Sequence, residues 1–218
     1  VAETATIEDG IELAEQFSTV DQQRRVGMLG MWAWLVTELL LFAGLFLVAL
    51  VLRLQHPDSV QAVAGRLKMW IGATNTVILI VSSLAMTGAI ESSKMGRGRD
   101  ASRCLLAAAA LGAAFMALKS FEYYEDWSEH MMPFLNRPYA LAGDNASMLF
   151  ANLYYVTTIL HAVHLTIGIS LALFMARAVV REGYLERRQN RVEIVGLYWH
   201  FIDLIWLIAF PTLYLVNR

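Results

Sequence analysis

Charge is what this sequence has least of. Only 17% of its 218 residues are Asp, Glu, Lys or Arg, against 57% hydrophobic residues. An average soluble domain carries about 25% charged residues, so an ordinary water-exposed domain is not the expected outcome. Proline is scarce as well, with four residues in the whole chain. Since proline breaks a helix interior, its scarcity leaves room for long unbroken helices. A single cysteine, Cys104, excludes an intramolecular disulfide and a cysteine-rich zinc site. There is no glycine-rich phosphate loop and no basic patch with interleaved aromatics, so nucleotide and nucleic-acid binding are not expected. The first 25 residues are acidic and polar with no apolar core of their own, and do not read as a cleavable signal peptide.

What the chain does have is five long apolar runs, at about residues 27–52, 69–90, 104–127, 146–176 and 194–216. Each is close to the roughly 20 residues that cross a bilayer core. The first is interrupted only by Glu38, and the second has no ionisable group. The apolar stretch of the third ends at Leu118, and its helix is expected to continue through Lys119 and Glu122 to about Trp127. The fourth has two histidines but no Lys, Arg, Asp or Glu. The expected fold is therefore an all-α membrane protein, a bundle of five transmembrane helices over residues 26–218, preceded by an arm at 1–25. Eleven basic residues flank one set of span ends, among them Arg24, Arg97, Arg103, Arg181 and Arg188, against five on the other. The positive-inside rule then puts the N-terminus in the cytoplasm and the C-terminus outside. Ile7, Ile11, Leu13, Ala14 and Phe17 suggest either a short amphipathic helix on the cytoplasmic surface or a frayed tail. The loop at 126–145 is acid-rich and holds Pro133 and Pro138, as an irregular connection would.

Polar residues inside such spans carry the chemistry. A charged side chain at the centre of a membrane helix costs roughly 2.5–3.5 kcal/mol on insertion scales, so Asp203 must face protein or water. Glu38 is a carboxylate within an apolar helix, and desolvation favours the neutral form. It either handles or gates protons, or is a neutral acid bonded across a helix interface. Asn75 and Thr76 lie seven residues before Ser82 and Ser83. The two pairs share a face two turns apart, a pattern that knits membrane helices together. Lys119 and Glu122 are three apart and spaced to pair. His161 and His164 are also three apart, one to two turns beyond Tyr154, Thr157 and Thr158. Two such histidines with Glu38 and Glu122 raise a metal site, but the Glu-x-x-His pattern of di-metal bundles is absent. Thr158 stands three before His161, so interhelical hydrogen-bonded histidines are the better reading. In the last span Glu193 sits at the helix start, where the dipole favours an acid. Further along, His200 and Asp203 are placed to share a proton or pair. No nucleophile with its base and no haem-attachment motif is present, so no catalytic residue and no metal ligand are expected in this chain.

Taken together, these motifs resemble subunit III of the haem-copper respiratory oxidases over about residues 26–217. Leu29-Gly30-Met31-Trp32 through Thr37-Glu38, then Phe42-Ala43-Gly44-Leu45-Phe46, is similar to the family's helix with a membrane-buried glutamate. Asn75-Thr76 with Ser82-Ser83, then Phe121-Glu122-Tyr123-Tyr124-Glu125, resemble its Asn-Thr…Ser-Ser and Glu-Tyr motifs. His161-Ala162-Val163-His164 with Gly168 resembles its two-histidine helix, and Glu193 through Trp206 its Tyr-Trp-His-Phe-Val-Asp motif, with Ile202 at the Val position. The resemblance implies an accessory subunit with no redox centre of its own, in a complex reducing oxygen to water with proton pumping. It implies haem and copper in partner subunits, packing against oxidase subunit I, bound phospholipid, support of proton uptake, and cytochrome c met through the complex. Glu38 would be the family's buried carboxylate, with Glu122, His161, His164, His200 and Asp203 lining the interior. A bacterial cytoplasmic (inner) membrane is the implied location. The accessory protein of a nitric oxide reductase or of a quinol oxidase is the alternative. A free-standing membrane metalloenzyme and a transporter are rivals from other classes; the internal repeats and broken helices of the latter are not visible. Two departures stand out. Larger members have seven spans, and this sequence begins where their third would. Ile159 and Ala162 occupy positions where the family has glycines, which bears on how closely helices approach there.

Overall fold

A computed structural model of the chain describes residues 7–8, 11–12, 19–130, 132, 145–181 and 190–215. Among the described residues the helices are α1 (Val20–Gln55), α2 (Pro57–Ala64), α3 (Met69–Lys94), α4 (Gly98–Ser128), α5 (Asn145–Ala178) and α6 (Asn190–Tyr214). Five of them, all but α2, are long and apolar enough to cross a membrane. Ahead of α1 lies a short antiparallel pair, β1 (Ile7–Glu8) and β2 (Ile11–Glu12). The amphipathic helix considered for this arm is therefore not formed at these residues. The Asp9-Gly10 dipeptide between the two strands is a strong hairpin signal, and it outweighs the weak helical spacing of the isoleucines. Leu13, Ala14 and Phe17 lie outside the described residues, as do Pro133 and Pro138.

The helix boundaries follow from local chemistry. Thr19 caps α1 by accepting a bond from the Gln22 backbone N–H at 3.2 Å, so the helix starts several residues before its apolar run. At 36 residues it is about 54 Å long, longer than a bilayer core. Pro57 ends it, because a proline cannot continue a helix but suits the first helical position. The short α2 that results buries Val60, Val63 and Ala64 and packs on α5. Gly96, at φ +71°, makes the tight reversal between α3 and α4 that a side chain would strain. Helix α4 does run on through Lys119 and Glu122 to Ser128.

Helices α3, α4, α5 and α6 form a four-sided bundle, each packed on its two neighbours, and α1 lies outside it across α5 and α6. Neighbours in the ring run antiparallel. Lys94 meets Glu193 while Thr76 meets Trp206, and Ser102 bonds the Ala176 carbonyl while Lys119 bonds Tyr154. The bundle axis is filled by Phe115, Phe150, Leu165, Trp199 and Trp206. Outward faces carry Trp32, Leu40, Leu54, Leu84 and Phe174, an apolar exterior suited to hydrocarbon. One end of the bundle gathers Lys94, Arg97, Arg99, Arg103, Arg177, Arg181 and Arg191, and the opposite end Arg53, Arg66 and Lys68.

Trp199 is the central wedge. Its indole N–H donates to Ser82 Oγ on α3 at 3.1 Å. A Cβ added at Gly112 on α4 would come within 3.0 Å of the ring, and one at Gly168 on α5 within 3.4 Å. One buried ring thus joins three neighbouring helices, and the two glycines are what admit it. The close approach on α5 comes at Gly168 rather than near His161, since Ile159 is 49% exposed and points away from the bundle. Replacing Gly112 with Leu is expected to overpack this site and destabilise the chain by about 1–3 kcal/mol. A lowered thermal unfolding midpoint in detergent checks it.

Candidate functional site

Lys119 and Glu122 are the most deeply buried ionisable residues described on α4. Lys119 is 2% exposed and Glu122 is 1% exposed, and Lys119 Nζ donates to Glu122 Oε2 at 2.9 Å. The i,i+3 spacing makes that bond possible, and the neighbouring helices complete it. Lys119 also donates to the hydroxyls of Tyr154 on α5 at 2.8 Å and Tyr214 on α6 at 2.6 Å. Each tyrosine then has its own hydrogen for Glu122 Oε1, 2.9 Å from both. The ammonium's three donors and the carboxylate's two oxygens are all used. The rings of Tyr123, Tyr154, Tyr214 and Trp206 lie 4.9–5.5 Å from Nζ, adding cation–π attraction in a water-poor site. Nothing near Lys119 or Glu122 in the sequence marks Tyr154 or Tyr214 as their partners, because both arrive from other spans.

The α3–α6 seam is a ladder of polar rungs. Lys94 pairs with Glu193 at 3.2 Å, Ser83 with His200 Nδ1 at 2.7 Å, Ser82 with Trp199, and Thr76 with Trp206 Nε1 at 3.1 Å. The serines and Thr76 thus knit helices, as their shared face suggests. Glu193 is held by a lysine as well as by its place at a helix start. His200 and Asp203 do not bond each other; His200 turns to Ser83, and Asp203 lies beside that same serine. The i,i+3 spacing permitted a pair, and the α3 hydroxyl took its place. Asn75 is fully buried, with no hydrogen bond from its amide among the described residues.

A third group sits on the flank where α1 crosses α5. His164 Nε2 lies 3.2 Å from Glu38 Oε2, with the side chains 10% and 19% exposed. His164 Nδ1 lies 2.8 Å from the Leu160 carbonyl. A carbonyl only accepts, so Nδ1 carries a hydrogen. One further proton is then needed between Nε2 and Glu38, either as a carboxylic acid donating to imidazole or as an imidazolium donating to carboxylate. The hydrogen bond needs that one proton whichever atom holds it. Phe42 packs edge-on against the ring at 5.5 Å, and Tyr198 donates to the His164 backbone carbonyl at 3.0 Å. His161, one turn away, faces the bundle axis instead, between Phe115 and Trp206. The two histidines therefore do not converge. Among the described residues no group of three His, Cys, Asp or Glu gathers to hold a metal.

At the end of the bundle, Lys68 bonds Glu125 and lies 4.0 Å from Glu129. Desolvation pulls the Lys68 ammonium down, but the Glu125 bond and the charges of Glu125, Glu129 and Asp126 outweigh it, so its pKa is raised overall. Tyr155 donates to Asp126 at 3.0 Å on the same face.

With this geometry in place, the likeness to known proteins is specific. Residues 14–217 match the family described as cytochrome c oxidase subunit III. Cytochrome c oxidase subunit 3 of Thermostichus vulcanus is 32% identical over 192 residues, covering 88% of each chain. A probable cytochrome c oxidase subunit 3 of Nocardia farcinica is 24% identical over 98% of this chain and 99% of its own. Cytochrome bo(3) ubiquinol oxidase subunit 3 of Pseudomonas aeruginosa is 24% identical over 86% of this chain and 84% of its own.

Removing one partner of a buried ion pair strands the other charge. Lys119→Met is expected to cost roughly 3–5 kcal/mol. Adding Glu122→Gln to it should recover part of the loss, because the stranded charge is then removed. Thermal unfolding of the single and double variants in detergent measures the difference.

Proposed function

The chain belongs to the cytochrome c oxidase subunit III family, and on that footing we propose that it is the accessory subunit of a cytochrome c-fed oxidase in a bacterial cytoplasmic membrane. It packs against subunit I, which with the other oxidase subunits holds the haem and copper. It contributes helices, a phospholipid-binding surface and support for proton uptake. Its N-terminus lies in the cytoplasm and its C-terminus outside, a reading supported by the collection of arginines at one end of the bundle.

The observation that carries the proton role is the Glu38–His164 pair. It lies on the flank of the bundle rather than at its axis, among the exposed Leu39, Leu40 and Leu41 of α1. A group there accepts or releases its proton toward whatever covers α1 without opening the interior. Its second helix, α5, is fixed by bonds to α4 and α6, so the pair has a rigid wall behind it. His200, Asp203, Asn75, Ser82 and Ser83 act in this reading as positioning residues that hold α3 against α6. Lys119 and Glu122 do the same for α4, α5 and α6.

A quinol oxidase is the second reading, favoured by the likeness to the ubiquinol oxidase subunits of Pseudomonas aeruginosa and Pseudomonas putida, at 24% and 25% identity. Purification through an affinity tag on this chain separates the two. A cytochrome c oxidase brings haem and a dinuclear copper absorbance with it, a quinol oxidase haem without that copper, and a colourless preparation contradicts both. Within the coloured complex, Glu38→Gln is expected to leave the haem spectrum unchanged and to shorten sustained turnover or lower proton pumping. Bleached haem bands would show instead that Glu38 serves assembly.

A further inference from the structure

The buried side of α5 carries a polar stripe, running from the bundle interior to the α1 flank, whose ends and middle differ. Tyr154, Thr157, His161 and His164 follow one another at spacings of three, four and three residues, which puts them on one face of the helix. All four are buried. The two ends of the stripe reach carboxylates, Tyr154 at Glu122 and His164 at Glu38. The middle does not. The Thr157 hydroxyl and both ring nitrogens of His161 have no hydrogen-bond partner among the described residues, although each side chain is 1% exposed. Phe115 and Trp206 pack on His161 with centroids 5.5 and 5.1 Å away, and neither ring accepts or donates along the imidazole edge.

Buried polar groups in native structures nearly always have partners, and two adjacent side chains of this kind make a polar site rather than an apolar void. A third unpartnered polar side chain is buried on α3. The Thr76–Trp206 bond sets the α3–α6 register and so brings Asn75, the neighbour of Thr76, level with the ring that packs on His161. Both amide atoms of Asn75 are likewise without a partner among the described residues. An internal water needs two to four polar partners; the Thr157 hydroxyl and the His161 ring nitrogens supply them on α5, and the Asn75 amide supplies two more atoms on α3.

We infer that the interior of the bundle binds water at Thr157, His161 and Asn75. The bound water makes the α5 stripe a continuous polar lane between the Glu122 cluster and the Glu38–His164 pair. The lane spans the ten residue steps from Tyr154 to His164, about 15 Å along the helix. It gives Glu38 a second proton contact from within the bundle, besides the one on its flank. No bond is made or broken in this; the lane passes protons between groups that already hold them.

X-ray hydroxyl-radical footprinting of the intact complex in oxygen-18 water tests it, because radicals form on the bound water itself and mark the side chain beside it. His161 is expected to gain labelled oxygen at a yield comparable to the exposed His56 and His130, while the buried Met86 stays unlabelled. Thr157→Val, in a complex with unchanged haem bands, should lower the His161 label severalfold. A His161 as unlabelled as Met86 while His56 and His130 react overturns the proposal. A label unchanged in the Thr157 variant removes that residue from the site and overturns the continuous lane.

Discussion

Lys119 and Glu122 put a full positive and a full negative charge inside an apolar bundle, and the packing around them must answer for both. Taking two such ions out of water costs several kcal/mol for each, and their mutual attraction repays this only when every remaining donor and lone pair is met. Here that takes two tyrosines from two other helices. The requirement fixes the heights of α4, α5 and α6 against one another to within a hydrogen bond. An apolar core alone would tolerate a slide of one helix past another far more readily. The same register then lets Trp199 settle between Gly112 and Gly168 with its N–H on Ser82. The α3–α6 ladder closes the fourth side of the ring.

Against this fixed frame, the Glu38–His164 pair is an ionisable couple on the flank of the bundle, away from its axis and largely shielded from water. Each partner retains some exposure on the α1 flank. Its single shared proton follows from which ring nitrogen is already committed to the Leu160 carbonyl. Charge and hydrogen bonding are the means by which the proposed support of proton uptake would act. This pair is where the structure concentrates them at the edge of the bundle, and α5 is the element that links it to the interior.

Much of the fold was legible in the sequence because a membrane imposes simple rules. Five apolar runs of sufficient length became the five long helices, the third continues through Lys119 and Glu122 as expected, and the i,i+3 spacing of those two residues announced their pairing. Helix α2 was not, since eight residues are too few for a hydropathy signal and only Pro57 hints at a break. The two-strand pair at Ile7–Glu8 and Ile11–Glu12 flanks an Asp9-Gly10 dipeptide that favours a hairpin, where the spacing of the isoleucines suggests either an amphipathic helix or a frayed tail. Spacing on one helix also misled at His200 and Asp203, where a serine on α3 intervenes. Partners separated by long stretches of chain, such as Tyr154 and Tyr214 around Lys119, leave no local trace. Only the bundle register brings them together.

The central claim is that this chain is an oxidase subunit whose helices are held in register by the buried, fully bonded Lys119–Glu122 pair. A cryo-electron-microscopy structure of the complex purified through this chain tests it most directly. The account predicts the chain docked on a subunit that holds haem and copper, with Lys119 Nζ in hydrogen-bonding reach of Glu122, Tyr154 and Tyr214 together. A chain without a haem-bearing neighbour, or a Lys119 turned away from either tyrosine toward water, lipid or a metal ion, would contradict it.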